Sequence, residues 1–63
     1  MKHRARYWLV VENKPGVPYA RHGCNDKNLV ERLLQFESKE RNPRVVRASS
    51  ALEAVKIYER ITA

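Results

Sequence analysis

Ala5-Arg6-Tyr7-Trp8-Leu9-Val10-Val11-Glu12, followed at once by Asn13-Lys14-Pro15-Gly16, decides the fold of this chain. The first eight residues are aromatic and β-branched with polar flanks, which is how a strand reads. In the next four, Pro15 suits the second position of a turn and Gly16 the third, where φ is positive, a type II pattern. Val17–His22 then reads as a second strand closing a hairpin, or as an ordered loop. Pro18 cannot donate to a ladder, so a strand here must be an edge strand.

Further along, Gly23-Cys24-Asn25-Asp26 breaks the pattern, and Asn25 or Asp26 can cap a helix by accepting from its first free N–H groups. Leu29, Val30, Leu33 and Leu34 follow at helical spacing and predict a helix to near Glu40, with Glu37 and Arg41 as an i,i+4 pair. Asn42 precedes Pro43, where the α conformation is disfavoured. Arg44–Ala48 reads as a short strand. Ser50-Ala51-Leu52-Glu53 fits a capping box, in which Ser50 accepts from Glu53 and Glu53 reaches back to Ser50. The helix it opens runs to about Ile61.

The order is ββαβα. It predicts an α+β fold: a small two-layer domain, a three-stranded mainly antiparallel sheet with two helices packed on one face. One domain spans residues 1–63, with 1–4 frayed. The predicted core contains Tyr7, Leu9, Val11, Leu29, Val30, Leu33, Leu34, Val46, Ala48, Leu52, Val55, Tyr58 and Ile61.

Sixty-three residues make one small core. Such a chain buries only about 60% of the surface its unfolded form exposes. Cys24 is the only cysteine, so no disulfide forms within the chain. A structural zinc would have only Cys24, His3 and His22 as soft ligands, short of the usual four. No cofactor or metal is expected, and self-association as a homodimer is the leading reinforcement. The longest apolar run is the five residues Tyr7–Val11, too short for membrane insertion or an export signal. With a lone cysteine, that points to a reducing, cytoplasmic setting.

The net charge is +6, and it is unevenly placed. Residues 1–25 carry +4, residues 26–40 carry −1, residues 41–48 carry +3, and residues 49–63 are neutral. The excess sits in strands and loops, so a field can be aimed from one surface. In the first strand Tyr7, Leu9 and Val11 share one face, while Arg4, Arg6, Trp8 and Val10 share the other. Val46 and Ala48 are taken as the core pair of the last strand, leaving Arg47 outside. An open sheet face would then present Arg4, Arg6, Trp8 and Arg47, with Tyr19 and Arg21 from the hairpin. Guanidinium groups suit phosphate, and aromatic faces stack on unpaired bases. Arg41 and Arg44 extend the basic surface.

Each residue has a plainer reading. Trp8 fits equally a core covered on both faces, Tyr19 a loop aromatic packed under the hairpin, and Arg6 and Arg47 charges that deter edge aggregation. An exposed Trp8 would also serve as the anchor of a protein interface. No catalytic constellation stands out. His22-x-Cys24 is a weak signal, Gly16 and Gly23 are the only glycines, and no phosphate loop or H-E-x-x-H motif is present. An enzyme is not expected.

The aromatic strand, Pro-Gly turn and capped helix over residues 5–38 resemble small sheet-plus-helix DNA-binding domains, such as the arm-binding domains of tyrosine recombinases. The likeness stops before the third strand and final helix. It implies DNA binding. The expected partner is nucleic acid, DNA or RNA. The alternative is an acidic protein, bound by an interaction module or an inhibitor of the phage or mobile-element type.

Overall fold

A computed structural model describes residues 6–62. The chain runs β1 (Tyr7–Lys14), β2 (Val17–Cys24), α1 (Lys27–Leu34), a 3-10 turn (Lys39–Arg41), β3 (Arg44–Arg47) and α2 (Ala51–Thr62). The α+β class and the order ββαβα stand. The three strands form one antiparallel sheet in the order β2-β1-β3. Gly16 holds φ +82° in the turn, as the Pro-Gly pair requires. Residues 17–24 are therefore a strand and not a loop, with Pro18 on the outer, edge position of the sheet.

The helices do not share a face, and here the two-layer expectation is corrected. Leu9 and Val11 pack with Val30 of α1. Val10, Val46 and Ala48 pack with Ala54 and Tyr58 of α2. Leu9, Val10 and Val11 are each wholly buried although neighbouring side chains in a strand point opposite ways. A central strand covered by a helix on both sides must be apolar in both parities, and the unbroken Tyr7–Val11 run is that signal.

Register explains the second correction. Trp8 pairs with Val46, Val10 with Arg44, and Tyr7 with Arg47. Val46 and Ala48 thus lie with Trp8 and Val10 under α2, and Arg47 lies on the α1 side beside Tyr7. Shifting a pairing by one residue exchanges the faces of a whole strand. On the other flank the register shifts between Leu9 and Val10, which leaves Arg21 as an extra residue of β2.

Asp26, not Asn25, caps α1, accepting from Asn28 N–H at 3.0 Å. The helix ends at Leu34 rather than near Glu40. The N–H groups of Gln35, Phe36 and Glu37 turn to carbonyls three residues back, tightening the last turn. Ser38 is extended, and its hydroxyl accepts from Glu40 N–H, starting a separate turn. That turn closes on Asn42, whose φ of +47° is left-handed, a conformation asparagine visits more readily than most residues. Ser50 caps α2 as expected, accepting from Glu53 N–H. The return contact differs: Glu53 takes the N–H and hydroxyl of Ser49, not the N–H of Ser50.

Leu29, Leu52 and Ile61 are exposed rather than core, at 46%, 67% and 53%. Two short helices on separate faces each need only a narrow apolar stripe. On α2 the fully buried position near the start is Ala54, whose small side chain lets the helix lie close to the sheet.

Candidate nucleic-acid interface

Both sheet faces are occupied, so among the described residues no open platform exists for Arg6, Trp8 and Arg47 to share. Arg4 lies outside the described residues. Trp8 is half-buried, packs against the α2-side core, and donates its Nε1–H to the Ala48 carbonyl at 3.0 Å. Its ring edge sits over Gly23 on β2 while its N–H reaches Ala48 beyond β3, so the indole spans all three strands. The ring covers the sheet, and its N–H and one edge are engaged within the fold. Tyr19 is half-buried against the Leu9–Val11–Val30 cluster, as a residue of β2 paired with Val11 and not as a loop aromatic. Arg21 is held in an ion pair with Glu37 at 3.0 Å. That contact replaces the pair expected between Glu37 and Arg41, because α1 has already ended when the chain reaches Glu37.

What the fold does bring together is a line of arginines along β3, an edge strand. Arg44 opens the strand and Arg47 closes it. Arg41 precedes it on the 3-10 turn, which packs beside the part of β1 that β3 does not reach. The Arg6 carbonyl accepts from Ala48 N–H at 2.9 Å, which fixes residue 6 at the far end of the same edge. Arg6, Arg47, Ser49 and Glu53 line a shallow hollow there. All four arginines are exposed, and none is in an ion pair among the described residues.

The carboxylates closest to this edge are largely engaged. Glu53 accepts from Ser49. Glu12 accepts from Gly16 N–H at 2.8 Å, from the Tyr58 hydroxyl at 2.7 Å and from the Asn42 side chain at 3.2 Å. These donors, the Gly16 N–H foremost, hold the Glu12 carboxyl below its ordinary value of 4.5. Burial, aided by the Glu12 carboxylate, pushes the Tyr58 phenol from 10.0 up to about 12. Glu40, exposed beside Arg41, dilutes the charge at that end. Arg6, Arg44 and Arg47 are therefore the centre of the patch.

The edge arrangement was hidden because it depends on register, which alternation within one strand does not reveal. The signal that could have found it is the spacing Arg41, Arg44, Arg47 on a short strand preceded by proline. Among the described residues no group of three or more His, Cys, Asp or Glu side chains is placed to hold a metal, and no helix is long and apolar enough to cross a membrane. No protein-family model, curated protein or solved structure matches the chain. The class defined is a small α+β domain with an arginine-lined sheet edge.

Proposed function

We propose that this chain is a small, non-enzymatic nucleic-acid-binding protein that grips phosphates with the β3 edge. One observation carries the reading: Arg6, Arg41, Arg44 and Arg47 are exposed along one edge with no ion pair among the described residues. Unpaired guanidinium groups offer two parallel N–H donors to a phosphate at little desolvation cost. A net charge of +6 favours a polyanion, and the partner proposed here is DNA or RNA rather than an acidic protein.

Mobility shifts with DNA and RNA, taken over a range of salt, test the reading. Log affinity should fall linearly with log salt. Arg44→Glu/Arg47→Glu should weaken binding strongly, while Lys56→Glu, on the exposed side of α2, should weaken it little. Absence of binding to any nucleic acid at low salt overturns the proposal.

A further inference from the structure

The same edge favours one form of nucleic acid. Resting on the reading above, we infer that it fits a double helix, held through its phosphates without base stacking. Single-strand binders pair a basic groove with aromatic faces on which bases stack. Among the described residues, the aromatic rings of the sheet and of α2 are engaged in the fold. Trp8 lies against Gly23 and is tied to Ala48, Tyr7 and Tyr19 pack on the α1-side core, and Tyr58 is buried. Phe36 is 85% exposed just past the end of α1, and it is the one aromatic side chain among the described residues whose removal tests this point.

The arginines instead diverge. Arg44 is paired with Val10 and leaves the sheet on the α2 side, whereas Arg47 is paired with Tyr7 and leaves on the α1 side. Three residues of strand separate them by about 10 Å. With long side chains on opposite faces, the two guanidinium groups address two separated rows of phosphate. Because the side chains leave on opposite faces, the guanidinium groups stand farther apart than this backbone rise, which suits the major groove of B-form DNA, about 12 Å wide, and not the minor groove, about 6 Å. A duplex supplies two rows and one charge per roughly 1.7 Å of axis; a single strand supplies one row at half that density. Contacts of this kind carry no base information, so binding is sequence-independent.

The experiment is fluorescence anisotropy of end-labelled duplex DNA, duplex RNA and a single strand of equal length, with the intact protein and matched salt. Each further neutralised phosphate adds about 0.9 log units of affinity at 0.1 M salt relative to 1 M. The duplexes should therefore bind about tenfold tighter than the single strand if one more phosphate is engaged. Two sequences of duplex should bind alike, and Phe36→Ala should bind as the parent does. Arg44→Glu/Arg47→Glu, checked for folding by circular dichroism, should flatten the salt slope by about 2. Equal or tighter binding of the single strand, or a loss with Phe36→Ala, overturns the inference and leaves nucleic-acid binding standing. No binding to any of the three probes overturns both.

Discussion

Trp8 covers Gly23 so closely that a Cβ placed on the glycine would lie 2.5 Å from ring atom Cζ3 and within 2.8 Å of two others. The indole cannot simply lift away, because its N–H is bound to Ala48 across the sheet. Gly23→Ala therefore overpacks the site and should cost about 1–3 kcal/mol. Thermal unfolding of a domain this small would shift by roughly 4–8 °C per kcal/mol. A double-mutant cycle isolates the cause: in a Trp8→Leu background the same substitution should become nearly neutral. An equal penalty in both backgrounds would show that the contact is not responsible.

Tyr58 ties the end of the core to two other segments, its hydroxyl lying 2.7 Å from both Glu12 and the Asn42 carbonyl. Tyr58→Phe should cost about 1 kcal/mol at neutral pH, read from chemical denaturation. The folded chain holds this phenol proton more tightly than the unfolded one, with a pKa near 12 against 10.0. The resulting stabilisation is complete below pH 10 and is lost as pH rises from 10 towards 12. One tyrosine per chain should show phenolate absorbance only near the upper value, and Tyr58→Phe should remove that titration. A spectrum unchanged by the substitution would assign the late titration elsewhere.

Glu12 works in the opposite direction of pH. Gly16 N–H, then Tyr58 and Asn42, favour its charged form and lower its pKa. Its contribution is present above the ordinary carboxyl value of 4.5 and fades as pH falls through the lower folded value. In acid the hairpin turn should open first, seen as faster amide exchange at Gly16. Glu12→Gln should make that exchange rate insensitive to pH over the same acid range, once intrinsic exchange is corrected for. A variant with the parent's pH dependence would exclude this carboxylate as the cause.

Local chemistry was legible in the chain, and pairing between strands was not. The Pro15-Gly16 turn, an acidic-loop cap at residues 25–26 and the Ser50 cap are set by neighbours within a few residues, and each appears in the structure. The faces of β3 depend on which residue of β1 lies opposite Val46, a contact spanning 38 positions in sequence that no local pattern encodes. With Val46 on Leu9's face Arg47 would lie on Trp8's face; the pairing of Val46 with Trp8 puts Arg47 beside Tyr7 instead. The end of α1 was lost for a different reason: Ser38 offers the backbone a competing hydrogen bond that apolar spacing ignores. Of the residues singled out in the sequence, Arg6, Arg41, Arg44 and Arg47 lie exposed along the β3 edge, while Trp8, Tyr19 and Arg21 are engaged in contacts of the fold.

Burial on both sheet faces yields a contrast between two leucines. Leu9 is wholly buried in β1 under α1, and Leu52 is 67% exposed on the first turn of α2. A one-faced sheet would make both of them core. With the helices on opposite faces, Leu9→Ala empties space that neither the sheet nor α1 can close, and should cost about 2–5 kcal/mol. Leu52→Ala removes surface that water already reaches and improves helix propensity, so its effect should stay within about 0.5 kcal/mol. Val10→Ala tests the other face: loss of two buried methyl groups on the α2 side, with the cavity they leave, should cost roughly 1.5–3 kcal/mol. Denaturant midpoints for the three variants decide the matter. A mild Val10→Ala beside a severe Leu52→Ala would mean that α2 packs on the face of Leu9, returning the fold to two layers.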